Sequence, residues 1–349
     1  MEKEFKVNNF DLLRILAAAQ VVLAHGAAHL GLTKPGWWGI VDAFPGVPIF
    51  FVISGFLISA SFERSPALGN YVRNRLLRIF PALWCCVLLT VVVAALFGFN
   101  FFNRSALIWL LAQLVGLIYT PGFLKPFGFG SYNGSLWTIP IELQFYVLLP
   151  LLYLGSRSEA RRTRLVAGVF LAFTIAAYLF ARVTPPLAET ESEPLAHKLF
   201  RYSFIPHIYL FFAGMLLQRW HVQRSGWFVG KGPLWLAAYL LIHFALPYGA
   251  ATYTAGTILL GVAAVTLAFT APRLSSLVLR GNDISYGVYI YHGLIINILL
   301  ERHLRGHAMH LVVVVLLTIV AGLASWKLVE RPFLRRKRRS FHPADAKPA

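Results

Sequence analysis

The sequence predicts an all-α polytopic membrane protein of about ten transmembrane helices. Three observations lead there. Of its 349 residues 58% are hydrophobic and only 13% charged, whereas soluble domains are about one quarter charged. Apolar runs of about 15 to 20 residues recur along the chain, close to the length of about 20 that a bilayer asks of a helix. These runs do not alternate in polarity, so the hydrocarbon core leaves the α-helix as their form. No segment is long enough to fold separately in water. Residues 1–349 are therefore expected to be a single transmembrane domain with a basic cytoplasmic tail at 335–349.

Taken in order, spans are expected near 10–29, 44–61, 80–97, 137–154, 165–181, 204–218, 233–247, 253–271, 284–300 and 311–328. No small-residue cleavage site follows the first, so it reads as retained. A further apolar run, 106–119, is short for a span and suits a re-entrant or interfacial helix as well. Loop charge decides between ten spans and eleven. With Arg14 left in its span and Lys327, at the end of the last span, counted with the tail, ten spans and a cytoplasmic N-terminus put 23 Lys and Arg inside and 8 outside, whereas an eleventh span at 106–119 gives 12 and 19. The positive-inside rule favours ten. Both termini then face the cytoplasm of a bacterial-type cell, across its cytoplasmic (inner) membrane. The outer segment 98–136, rich in Phe, Gly and Pro, reads as a binding lid or as an interfacial aromatic anchor. Glu189, Glu191 and Glu193 in the outer loop 182–203 are expected to be solvated.

The net charge of +18 sits in short loops between apolar spans. Membrane topology accounts for it, and nucleic acid is not an implied partner. Cys85 and Cys86 are adjacent, and neighbours in a helix point different ways, which argues against a disulfide framework.

Four stretches place polar groups where lipid disfavours them. In the first span Arg14 and His25 stand 11 positions apart. At about 100° per residue they share one face, roughly 16 Å apart along the axis. One helix would present a cation near one surface and an imidazole beyond the midplane. Taken singly, Arg14 is also explained by snorkelling and His25 by an interior hydrogen bond. The second stretch is Phe50–Ile58, where Ser54-Gly55 reads first as a close helix crossing. In the third, Arg75 and Arg78 are three apart at the mouth of the third span. They suit phosphate oxygens, and they equally suit topology anchoring. The fourth is Ser135–Tyr146. It puts Glu142 in the outer half of its span, the half that also holds His25. A carboxylate beside an imidazole orients the ring and stabilises the imidazolium, and such a histidine can take a proton from a hydroxyl. The His303, His307 and His310 group has only Glu301 as a carboxylate neighbour, and no metal is expected.

The Arg–His pair of the first span, FFVISGFLIS, RLLRIFP, SLWTIPIELQFY, ISYGVYIYHG and VERPF occur in that order. Together they resemble the membrane-bound acyltransferase 3 family over residues 8–334. The resemblance implies transfer of an acyl group, usually acetyl, from cytoplasmic acyl-CoA to a carbohydrate hydroxyl at the outer face. It implies the bilayer and a carbohydrate or glycolipid acceptor as partners. It maps the family's first-span pair onto Arg14 and His25, its arginine motif onto Arg75 and Arg78, and its acidic residue onto Glu142. Larger members append an outer hydrolase-like domain, which is not expected here after VERPFLRR. On this reading His25 and Glu142 are catalytic, and Arg14, Arg75 and Arg78 hold the coenzyme A phosphates. His292, Tyr146 and Ser54 support them, His292 first as a structural hydrogen bond. The alternative class is a transporter of a glycan or glycolipid, which also needs charges in its spans.

Overall fold

The computed structural model describes residues 8–64, 66–154, 158–183 and 195–338. The residues before 8, the acidic trio Glu189, Glu191 and Glu193, and the basic tail beyond 338 lie outside the described residues. Every regular element among the described residues is helical. In chain order the main ones are α1 (Phe10–His29), α2 (Gly46–Arg64), α3 (Leu68–Leu96) and α4 (Arg104–Leu114). Next come α5 (Thr138–Leu154), α6 (Glu159–Val183), α7 (Ile208–Arg219) and α8 (Gly232–Ala245). Last are α9 (Ala250–Ala268), α10 (Ser285–Glu301) and α11 (Ala308–Ser325). A π-helical turn, Trp326–Glu330, carries α11 on into Arg331–Arg338.

Seven stretches are long and apolar enough to cross a membrane, and each contains or overlaps an expected span: α1, Gly36–Arg64, α3, Gly134–Leu154, α6, α9 and Ala308–Arg336. The other three expected spans are α7, α8 and α10, helices of 12, 14 and 17 residues. At about 1.5 Å per residue α7 rises roughly 18 Å, against a hydrocarbon core of about 30 Å. All twelve of its residues are buried. Protein rather than lipid surrounds it, which relaxes the length requirement.

Two boundaries differ from expectation. Helix α3 begins at Leu68 rather than 80, so the arginine motif lies inside a 29-residue helix and not in a loop before it. Hydropathy registers only the apolar part of a helix, and the polar first turns escape it. Helix α4 is the short helix expected near 106–119. The Asn103 side chain caps it by accepting the Ala106 amide at 2.9 Å, and Gly116 at φ +80° follows its end.

Contacts divide the chain into two compact units. One comprises Met1–Val21, Gly36–Pro66 and Ile141–Gly281; the other comprises Val22–Pro35, Ala67–Pro140 and Asn282–Ala349. In the first, α2 crosses α7 at small residues. A Cβ on Gly55 would strike the Phe211 carbonyl, and one on Gly214 the Val52 carbonyl. Absence of side chains there lets the two backbones approach. Phe145 stacks on Phe211 at 4.7 Å between centroids, and Phe51 meets Phe145 edge-on. The last turns of α2 and α7 hold a polar network. Glu63 accepts from Tyr153 Oη at 2.7 Å, Gln218 Nε2 at 2.8 Å and Arg219 Nη1 at 2.5 Å. Arg219 also donates to Thr163 Oγ1 and the Glu159 carbonyl. A charge this deeply buried is tolerated because it is paired and hydrogen-bonded.

In the second unit α10 packs on α11 at Gly287 and Gly322, where a Cβ on Gly287 would come within 2.9 Å of the Gly322 Cα. The segment before α5 is fastened to α10. Asn297 Nδ2 donates to the Ser131 and Tyr132 carbonyls, and its Oδ1 accepts from the Phe129 amide. Glu301 accepts from the Gly128 amide at 2.7 Å. Gly128 needs its φ of +61° here and leaves no space for a side chain beside Asn297.

Candidate active site

The site is built from helix α1 outward. Asn8 accepts the Phe10 amide at 3.1 Å and starts the helix. Asp11 in the first turn favours the helix dipole and pairs with Arg14 at 3.2 Å. The Arg14 and Asp11 side chains are 20% and 44% exposed. Three turns on, His25 is half-buried in the second unit.

His292 stands in α10 of that same unit and is fully buried. Its Nε2 lies 3.0 Å from His25 Nδ1, and its Nδ1 lies 2.7 Å from the Tyr289 carbonyl oxygen. His29, one turn beyond His25, brings a third imidazole, with 5.8 Å between the ring centroids. Phe129, carried by the segment fastened to α10, stacks on His29 at 3.9 Å and nearly parallel. Among the described residues no group of three His, Cys, Asp or Glu is arranged to hold a metal ion.

The arginine motif belongs to the second unit as well. Arg78 Nη2 donates to Asp283 Oδ2 at 2.7 Å, and its Nη1 is 3.8 Å from Glu330. Ser285 Oγ donates to the other Asp283 oxygen and Ser325 Oγ to Glu330. RLLRIFP, Asp283 just ahead of ISYGVYIYHG, and VERPF therefore converge on one guanidinium. Arg75 lies over the Tyr71 ring at 5.9 Å.

The remaining predicted residues, Arg14, Ser54, Glu142 and Tyr146, fall in the first unit. Glu142 accepts a hydrogen bond from Tyr146 Oη, one turn further along α5. Ser54 is half-buried beside Gly55 at the crossing of α2 with α7. The structure thus joins His25 to His292, Arg78 to Asp283, Glu142 to Tyr146 and Arg14 to Asp11. Sequence reasoning missed His29, although its i+4 spacing from His25 was a usable signal. It also missed Asp283, whose partner lies 205 positions away.

An imidazole held by one ring nitrogen can take a proton at the other, and a guanidinium fork can hold an anion. Comparison with known proteins narrows the chemistry. The sequence profile of an acyltransferase domain matches residues 7–328. Nodulation protein 10 of Rhizobium leguminosarum bv. viciae is 32% identical, over 94% of this chain and 93% of its own. The O-acetyl transferase of Shigella phage Sf6 is 25% identical, over 95% and 97%. The exopolysaccharide production protein ExoZ of Rhizobium meliloti is 27% identical, over 84% and 90%. No solved structure matches the chain.

Proposed function

Since the chain belongs to the acyltransferase 3 family and is an O-acetyltransferase, we propose that it acetylates a hydroxyl of a cell-envelope carbohydrate at the outer face of a bacterial cytoplasmic membrane, with cytoplasmic acetyl-CoA as donor. The observation that carries this reading is the match across residues 7–328, which takes in nearly every polar motif named above. Relatives named for O-acetyl transfer and exopolysaccharide production support a carbohydrate acceptor. The transporter alternative gives way to the family assignment.

In this reading His25 is the general base. A sugar hydroxyl is a poor nucleophile until its proton is taken, and such help is worth about a hundred- to ten-thousandfold. The hydroxyl oxygen forms the new bond to the acyl carbon, the bond from that carbon to its leaving group breaks, and the imidazolium passes the hydroxyl's proton to that leaving group. Glu142 is assigned, from its place in the sequence motif, to stabilise the imidazolium by charge. Arg75, Arg78 and Arg14 are assigned to the phosphates of the donor. Arg78 is presented with its guanidinium on Asp283, so a phosphate would compete with a carboxylate there.

The test is thioester cleavage by purified protein in lipid. Release of free coenzyme A that rises with added envelope glycan is the expected result. A protein that never cleaves acetyl-CoA would overturn the assignment.

A further inference from the structure

The His25–His292 contact determines more than position. A backbone carbonyl only accepts, so the 2.7 Å contact makes His292 Nδ1 the donor to the Tyr289 oxygen. A neutral imidazole carries one proton, so His292 Nε2 is then a bare lone pair. That nitrogen faces His25 Nδ1 at 3.0 Å, and two nitrogens at this distance require a proton between them. The proton must come from His25 Nδ1. His25 consequently keeps its lone pair on Nε2, at the other side of the ring. The neutral form of His292 is the one that fits its surroundings. The ring is 0% exposed in a helix through apolar surroundings, and its two hydrogen-bond partners are a carbonyl and another imidazole. An imidazolium in such a place is costly.

We propose that His292 is a positioning residue that fixes His25 in the Nδ1–H tautomer, so that Nε2 is the atom that takes the acceptor's proton. This deepens the proposed role of His25 as base and rests on it. The chain of bonds is ordered from the backbone: the Tyr289 carbonyl orients His292, and His292 orients His25. Which nitrogen of a histidine is basic is set by the bond its other nitrogen makes. His292 thus supplies geometry and tautomer. The rest of α10 holds His292 in place. Its neighbour Gly293 closely approaches Asn133, whose Nδ2 donates to the Ile290 carbonyl at 2.7 Å.

Two substitutions separate tautomer control from packing. His292→Leu removes the acceptor while keeping an apolar side chain of comparable size. His292→Gln offers Oε1 in the place of Nε2 and an amide that can donate to Tyr289. The readout is the ring-nitrogen NMR spectrum of histidine-labelled protein in lipid, with His25 assigned by its loss in His25→Gln. The expected result is a protonated Nδ1 and an unprotonated Nε2 on His25 in the parent and in His292→Gln, with His292→Leu moving His25 toward the other tautomer. Alongside, His292→Leu should lower kcat by about ten- to a hundredfold, the range for outer partners that orient a functional histidine, with KM for acetyl-CoA nearly unchanged. His292→Gln should recover most of the rate. If His25 carries its proton on Nε2 in the parent, or keeps its tautomer in His292→Leu, the proposal fails. Should His292→Leu not fold, the parent and His292→Gln spectra still decide. The spectra need no turnover, so they test His292 even if His25 proves not to be the base.

Discussion

Arg78 and Asp283 meet at 2.7 Å across 205 positions of sequence, with side chains 21% and 11% exposed. This contact gives a family motif residue a structural duty beside the one its sequence suggests. It gathers α3, the residues before α10 and the π-helical turn around one guanidinium. Removing one partner of a buried ion pair costs about 3–5 kcal/mol, and less where water reaches the pair. Arg78→Ala should therefore lower the unfolding temperature in detergent clearly, and Asp283→Asn should lower it less. If neither variant is less stable, the pair holds nothing together.

Arg75 stands one turn before Arg78 on the same helix, its guanidinium 5.9 Å from the centre of the Tyr71 ring, and the proposed function assigns it to the donor's phosphates. Arg75→Ala should weaken acetyl-CoA binding by the value of one charge-assisted bond, about 1.5–3 kcal/mol. A short acetyl thioester without phosphates should be bound equally by parent and variant. Calorimetric titration with both donors checks this, and an equal loss for both would make Arg75 only an anchor of the helix.

The α2–α7 crossing predicts a sharp dependence on single methyl groups. Gly55→Ala and Gly214→Ala each drive a Cβ into a backbone carbonyl, and backbone cannot move aside as a side chain can. Each should cost at least the 1–3 kcal/mol usual for overpacking and reduce the yield of monodisperse protein. Gly168, in α6, has no atom within 4 Å of such a Cβ. Gly168→Ala should be neutral or slightly stabilising, by about 0.5–1 kcal/mol. Size-exclusion profiles of the three variants read the difference.

Much of this architecture was legible before any coordinates. Apolar length located each expected span on a helix, and the short apolar run at 106–119 appeared as α4. The limits of the helices were less legible. Hydropathy missed the polar opening of α3 and overran α7, where Pro206 precedes the helix and residues 204–207 turn. Periodicity led to the expectation that Arg14 and His25 share one face. It did not supply tertiary partners, because His25–His292, Arg78–Asp283 and Glu301–Gly128 join positions 267, 205 and 173 apart. Periodicity reports which face a residue occupies and carries nothing about what it meets across a tertiary contact.

Topology is a separate expectation. Reporters fused after Arg339 and within the loop 155–164 should both report cytoplasm, as the 23-to-8 distribution of basic residues requires. An outer-face signal from either would restore the eleventh span.

The roles of His25 and Glu142 are coupled in the proposed reaction, and coupling is measurable. Glu142→Gln keeps shape and removes charge, so it should lower the transfer rate steeply while leaving donor affinity nearly unchanged. The double variant should be little slower than His25→Ala, because residues that act as one unit do not add. Single losses that multiply in the double variant would mean independent action.

The most direct test is acetyl transfer by purified protein and its His25→Ala variant in lipid, following labelled acetyl from acetyl-CoA onto envelope glycan together with free coenzyme A. The parent should form the ester with one coenzyme A released per acetyl. His25→Ala, folded and still binding donor, should be slower by about a hundred- to ten-thousandfold. Near-normal transfer by that variant would contradict the account and place the base elsewhere.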